Sequence, residues 1–106
     1  MFARKDNCYI TKGIQEAVPY SLQLFCWKLI IKRVEEKEPP LDYLRIIEFE
    51  VNEETRLLTI VHRQEEPELK QIYFLHLLPE YHSLKATKLW IIDSGQTQMM
   101  LLSEEY

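Results

Sequence analysis

The side chains best suited to chemistry in this 106-residue sequence lie on two stretches of alternating polarity, 43–51 and 56–64. Pairing these stretches as a hairpin, with Val51 opposite Arg56, brings four polar side chains to one end of a single sheet face. These four are Tyr43, Arg45, His62 and Gln64. An arginine holds anions, a histidine transfers protons near neutral pH, and an amide orients a ligand. The pattern predicts a ligand-binding pocket, of a small-molecule-binding protein or an enzyme, unless these groups satisfy one another at the end of a core.

Other kinds of chemical site have less support in the sequence. A metal site would draw on His62, His76 and His82, but no two of these histidines are four residues apart, and the chain has no Cys-x-x-Cys pair. Asp93-Ser94-Gly95 is typical of a hairpin turn, since no helix follows to expose the serine as a nucleophile. Two glycines cannot form a glycine-rich phosphate loop. We therefore expect no catalytic residue, no metal and no cofactor, and the sequence favours a protein that is not an enzyme.

Composition predicts one globular domain over residues 1–106. The hydrophobic content is 46%, which is typical of a globular protein, and the net charge of −4 argues against a surface that follows nucleic-acid phosphates. The nearest polar neighbours of Phe49 are Glu48 and Glu50, whereas sites for single-stranded nucleic acid place cations among their aromatic residues. The short acidic runs are typical of solvated turns. Alternatively, they form a surface that docks onto a basic protein partner.

The chain lacks the features of an exported or membrane protein. Its first residues are too polar for a signal peptide, and no apolar run approaches the ~18–20 residues that a membrane span needs. The two cysteines, Cys8 and Cys26, do not make a disulfide framework. We therefore expect a cytoplasmic protein with reduced thiols, in which Cys26 is a small core residue on an apolar helix face.

The elements that must position the polar residues are one helix followed by a run of strands. A helix is predicted over 19–34, because Pro19 suits the first turn and Pro39-Pro40 enforces an end. Lys12-Gly13 is predicted as a turn before it. The predicted strands are 43–51, 56–64, 69–76, 88–93 and 97–102, with a short one at 8–11. The fold class is therefore α+β, with one main helix packed on an antiparallel meander of four to five strands.

The proposed register also predicts the core. With Val51 opposite Arg56, Phe49 faces Leu58 and Ile47 faces Ile60. The same register places Arg45 opposite His62, and Tyr43 opposite Gln64. The helix residues that cover this face are Leu22, Phe25 and Leu29.

The helix carries a second apolar stripe that this core does not use. Its residues are Tyr20, Leu24, Trp27 and Ile31. The stripe is covered either by the last hairpin, 88–102, folding back over the helix, or by another protein chain. Because tryptophan and tyrosine are enriched at binding hot spots, we predict a protein-interaction module that self-associates or docks a protein partner through these residues.

Several motifs along the chain resemble those of one bacterial family. They are Thr11-Lys12-Gly13-Ile14, Val18-Pro19 with Leu22-Gln23, Leu41-Asp42-Tyr43-Leu44, His62-Arg63-Gln64-Glu65 with Pro67-Glu68, Ile91-Ile92-Asp93-Ser94-Gly95, and the terminal Met100-Leu101-Leu102-Ser103-Glu104-Glu105-Tyr106. Together they are similar to proteins of roughly 100 residues from Gram-positive bacteria and their mobile elements, known only as a domain of unknown function. The resemblance implies no catalytic residue. It implies a bacterial, cytosolic protein, and with the acidic charge it suggests a mobile-element inhibitor of a host nucleic-acid-handling protein.

Overall fold

One six-stranded sheet with its helices on one face forms the body of the molecule. The computed structural model describes residues 8–36, 43–65, 68–84, 88–94 and 97–105. The strands are β1 (Cys8–Ile10), β2 (Leu44–Asn52), β3 (Leu57–Gln64), β4 (Leu69–His76), β5 (Lys88–Asp93) and β6 (Gln98–Leu102). The helices are α1 (Lys12–Ala17) and α2 (Tyr20–Glu36), with 3₁₀ segments at Pro79–Ser83 and Ser103–Glu105.

The strand order is β1-β6-β5-β2-β3-β4, with β1 parallel to β6 and every other pair antiparallel. The predicted α+β class is confirmed, and the sheet has six strands where four to five were expected. The β5–β6 hairpin pairs with β2 and lies inside the sheet. The possibility that this hairpin folds back over the helix is therefore wrong.

The hairpin between β2 and β3 has a register two residues away from the predicted one. Phe49 pairs with Ile60 and Ile47 pairs with His62. The loop occupies residues 53–56 because the Asn52 Oδ1 atom accepts hydrogen bonds from the backbone N–H groups of residues 54 and 55, at 3.0 and 3.1 Å. Arg56 closes the loop in the left-handed region, with φ of 56°. A shift of two residues preserves the face of every side chain, so the predicted inner face is unchanged.

The segment predicted as a turn at Lys12-Gly13 is the start of α1. Thr11 caps this helix, since its Oγ1 accepts a hydrogen bond from the Ile14 N–H at 3.2 Å. Gln23 of α2 is buried and donates its side-chain amide to the Val18 carbonyl at 2.9 Å. The two helices are thereby joined at a fixed corner.

The core lies between α2 and the inner face of the sheet. Leu22, Cys26 and Leu29 of α2 are buried, as predicted, and Phe25 packs against them while staying partly exposed. The predicted sheet residues are buried as well: Ile47, Phe49, Leu58 and Ile60. Burial raises the pKa of the Cys26 thiol well above its usual range, so this cysteine is a small uncharged core residue.

The predicted end of the helix lies outside the described residues, and the predicted turn of the last hairpin lies partly outside them. Pro39-Pro40, which is expected to end the helix, is outside them, and so is Gly95 in the β5–β6 turn. The described part of that turn is closed by Ser94, whose backbone N–H donates to the Thr97 carbonyl at 3.0 Å.

Candidate functional site

Three of the four polar residues predicted to meet at the end of the sheet do so. The Arg45 Nε atom donates to His62 Nε2 at 3.0 Å, and its Nη1 atom donates to Gln64 Oε1. All three side chains are at most 1% exposed. They hydrogen-bond to one another inside the molecule, as in the alternative that the sequence left open.

Tyr43, the fourth predicted residue, has a different environment. Its residue surface is 49% exposed, and its backbone carbonyl accepts a hydrogen bond from the Asp93 N–H at 2.9 Å. The prediction of one pocket lined by all four residues is therefore wrong. The reason is the register, because the two-residue shift brings Arg45 level with Gln64 and leaves Tyr43 beyond the end of β3.

Two residues that the sequence interpretation missed belong to this buried cluster. Arg33 of α2 is 1% exposed and lies close enough to His62 to affect its pKa. Gln71 of β4 pairs with His62 of β3 and also affects this pKa. A signal for Arg33 was present in the sequence. It is four residues after Leu29 and seven after Cys26, so it shares the buried face of the helix. We call Arg33, Arg45, His62, Gln64 and Gln71 the buried polar cluster.

The environment of His62 determines what it can do. Burial lowers its pKa to about 3, and the guanidinium of Arg45 contributes in the same direction, with a smaller effect from Arg33. The neighbouring Gln71 side chain shifts the pKa upward and only partly opposes these effects. The imidazole is therefore neutral at pH 7. The predicted role of His62 as a proton carrier near neutral pH is wrong, since that role needs a pKa near 7.

The residues of the second helix stripe lie on the outer side of α2. Tyr20, Leu24 and Ile31 are 71%, 40% and 39% exposed. Trp27 is half-buried and packs against the core. Three large apolar side chains therefore stand in solvent on one helix face, and an aromatic ring anchored in the core stands beside them. We call Tyr20, Leu24, Trp27 and Ile31 the outer stripe.

A cleft of about 580 Å³ adjoins the outer stripe at the corner between α1 and α2. Tyr20 belongs to both the stripe and the cleft. The other lining residues are Ile10, Gln15, Glu16, Ala17, Val18, Pro19, Gln23 and Glu80. A smaller cleft of about 280 Å³ lies beside Gln64, and its lining residue Arg63 is held by Glu48 at 2.8 Å.

The histidines considered as metal ligands are dispersed. His62 points into the core and is buried, whereas His76 is exposed on β4. His82 Nδ1 lies 2.9 Å from the Glu53 carboxylate on another loop. Within the described ranges, there is no group of three or more histidine, cysteine, aspartate or glutamate side chains placed to hold a metal ion. Nor do those ranges contain a helix with the length and apolar character needed to cross a membrane.

Comparison with known proteins identifies a family and a solved structure to which this chain is similar. The profile of a family described as "Staphylococcal protein of unknown function (DUF960)" matches residues 7–105. A crystal structure described as the protein of unknown function from Enterococcus faecalis superimposes with a TM-score of 0.78 and 22% sequence identity, over 100% of this chain and 98% of that one. At this identity the likeness shows the fold. No curated protein matches the chain.

Proposed function

This chain belongs to the DUF960 family of Gram-positive bacteria, as its motifs predicted, and we propose that it is a protein-interaction module that docks a protein partner on the outer stripe of α2. The observation that carries the proposal is the exposure of Tyr20, Leu24 and Ile31 at 71%, 40% and 39%. A surface helix normally presents polar residues on the face opposite its core. A contiguous apolar face of this kind marks an interaction site.

Trp27 and the neighbouring cleft suit this role. A binding hot spot combines a rigid aromatic residue with a pocket that accepts a partner side chain. The indole of Trp27 is held by its contact with the core. The cleft of about 580 Å³ continues the stripe beyond Tyr20. The stripe therefore offers a flat apolar surface with a recess at one end.

The charge beside the stripe favours a partner that differs from this chain. Lys28, Lys32 and Glu35 are exposed along one flank of the stripe, so this flank carries two cations and one carboxylate. A second copy docked with the two helices antiparallel would bring its own lysines to the same flank, whereas a partner with more carboxylates there would be attracted. We therefore propose an apolar segment flanked by acidic residues, such as an amphipathic helix. Of the described acidic residues, Glu35 lies on this flank, whereas the runs Glu53-Glu54 and Glu104-Glu105 lie outside α2. The excess of positive charge on the flank does not favour a basic partner at this stripe.

The reduced state of both cysteines is consistent with a cytoplasmic setting for this interaction. Cys8 is exposed and Cys26 is buried, and neither is in a disulfide. Because reduced cysteines are the rule in a reducing compartment, we place the protein in the cytoplasm.

The alternative function, binding of a small molecule by Arg45, His62 and Gln64, is not proposed, since these side chains are enclosed.

The test is capture of a partner by the tagged chain from staphylococcal and enterococcal lysates, followed by reconstitution with that purified partner. Leu24→Glu and Ile31→Glu each place a carboxylate in the stripe. Met99→Glu is the matched control, because Met99 of β6 is 41% exposed, against 40% for Leu24. We expect the wild type and the Met99 variant to bind equally, and the two stripe variants to bind at least about tenfold more weakly, a loss of about 1.4 kcal/mol.

Two results would overturn the proposal. One is a reconstituted complex whose affinity is the same for the wild type and for both stripe variants. The other is a wild type that self-associates in sedimentation experiments and becomes monomeric in the Leu24 and Ile31 variants. That second result would make another copy of the chain the occupant of the stripe. Circular dichroism of each variant verifies that it is folded.

A further inference from the structure

A different surface, the free edge of β4, is suited to pairing with another strand. β4 ends the sheet order and pairs with β3 at every residue from Leu69 to His76. Its other row of backbone N–H and C=O groups faces no strand of the described residues. The opposite edge strand, β1, has 3 residues, whereas β4 has 8. A long unpaired edge is a ready template for another strand.

The usual protections of an edge strand are sparse in β4. It contains no proline, and its ladder with β3 runs without a bulge. Lys70 is its one charged residue apart from the histidine at its end. On the same face, Ile72 and Phe74 are 50% and 64% exposed. A long, regular edge with large apolar side chains in solvent is an association site.

We propose that the occupant of this edge is the β4 strand of a second copy, paired antiparallel about a twofold axis at Ile72. In this register Ile72 faces its own counterpart, Lys70 faces Phe74 and Glu68 faces His76. Each pair is favourable: two aliphatic side chains, a cation on an aromatic ring, and an acid beside a histidine. Glu68 and His76 are both exposed and free to meet across the axis.

Neighbouring registers are less complementary. A twofold axis at Tyr73 places Lys70 opposite His76, so that a cation faces an imidazole. An axis at Gln71 places Glu68 opposite Phe74 and leaves the carboxylate beside an aromatic ring. Both registers lose the Lys70–Phe74 and Glu68–His76 pairs, which are the favourable contacts of a charged side chain in the Ile72 register. The charge pattern of β4 therefore selects the axis at Ile72.

Dimerisation through β4 has a consequence for the outer stripe. A twofold axis perpendicular to the sheet joins two six-stranded sheets into one of twelve strands and leaves both copies of α2 on the same side. The dimer then presents two stripes in one direction. Two linked sites gain avidity for a partner that also has two sites. The β4 contact does not depend on the stripe, so the two proposals can fail separately.

Disulfide trapping tests the register. In a Cys8→Ser background, which removes the exposed thiol, Ile72→Cys places two thiols opposite each other across the axis. Opposed Cβ atoms in an antiparallel pair are about 4.5–5.5 Å apart, close enough for a disulfide after small adjustment. Phe74→Cys is the matched control, because its counterpart in the other copy is Lys70. We expect oxidation to give a covalent dimer with the first variant and none with the second.

Sedimentation equilibrium tests the association itself. We expect a wild-type dimer, and we expect Ile72→Lys, which opposes two lysines at the axis, to raise the dimer Kd about tenfold or more. Met99→Lys, at an exposed site on β6, should leave the Kd unchanged. A wild type that is monomeric, or an Ile72→Lys protein as dimeric as the wild type, would overturn the proposal. Binding of a partner with a single site to the stripe would be unaffected by either result.

Discussion

The Glu105 carboxylate accepts a hydrogen bond from the Thr11 hydroxyl at 2.6 Å and thereby joins the two ends of the described chain. The same carboxylate accepts the Leu102 N–H at 2.8 Å. Thr11 in turn caps α1 through its contact with Ile14. Thr11 and Ile14 of the first family motif and Glu105 of the last are therefore parts of one structural link. This link gives these residues a structural role.

Gly13 packs closely against this link. A Cβ atom built on Gly13 would lie 2.6–2.8 Å from the carboxyl atoms of Glu105, so the carboxylate would have to move. In a helix, Gly→Ala is otherwise stabilising by about 0.5–1 kcal/mol. We expect Gly13→Ala to give no gain in the wild type and to be stabilising in a Glu105→Ala background. Urea unfolding of the wild type, the two single variants and the double variant measures the coupling energy between Gly13 and Glu105. Additive effects on the free energy of unfolding would show that the two residues do not interact.

The link should depend on pH. Hydrogen bonds from Thr11 and from the backbone of Leu102 and Gly13 lower the pKa of Glu105 below its ordinary value of 4.5. The carboxylate form therefore stabilises the fold above pH 4.5, and this contribution is lost as the pH falls through the lowered pKa. The stability difference between the wild type and Glu105→Gln should be constant at neutral pH and should shrink in acid. A difference that stays constant to low pH would contradict this account.

His62 should make the protein sensitive to mild acid. Its pKa is about 3 in the folded state, against an ordinary value of 6.5, so the unfolded chain binds a proton that the folded chain does not. Stability is therefore complete above pH 6.5 and falls between pH 6.5 and 3, by at most about 1.4 kcal/mol per pH unit from this group. His62→Gln keeps an acceptor for Arg45 and should flatten this part of the curve. An equally steep decline in the variant would assign the effect to other groups.

Arg45 should contribute more to stability than an arginine on the outer face. Arg45→Ala leaves the acceptors of His62 and Gln64 buried without their donor, which we expect to cost about 2–4 kcal/mol. Arg63 is the matched control on β3, since its side chain is 30% exposed and pairs with Glu48 at 2.8 Å. Arg63→Ala should cost about 0–1 kcal/mol. Chemical denaturation of both variants measures the contrast, and equal costs would mean that the buried cluster is not stabilising.

Two leucines on opposite sides of α2 provide a test of which stripe is core. Leu22 is 0% exposed and Leu24 is 40% exposed. Leu22→Ala should cost about 2–5 kcal/mol, because it leaves a cavity in the core. Leu24→Ala should change stability by no more than about 0.5 kcal/mol in the isolated chain. A large loss of stability for Leu24→Ala in the absence of any partner would place the outer stripe in the core.

Local patterns were sufficient to predict the elements and their faces. The alternation in 43–51 and 56–64 places Phe49 and Ile60 on one face, and the helical spacing of Leu22, Cys26 and Leu29 places these residues against it. Side chains alternate between the two faces of a strand, so an error of two residues in the register leaves every side chain on the same face. The core prediction was therefore correct. The family motifs were likewise visible in the sequence.

Long-range arrangement was decided by the tertiary structure. The short strand β1 pairs with β6, and the β5–β6 hairpin is inserted beside β2. These pairings join residues far apart in sequence, and local periodicity carries no information about such pairs. The same reason explains why Arg33 and Gln71 were missed at the buried polar cluster, and why Glu105 was not connected to Thr11. The sequence was enough to show that α2 has more apolar surface than one core needs. The fold places that surface in solvent, because the last hairpin, which was one candidate to cover it, completes the sheet instead.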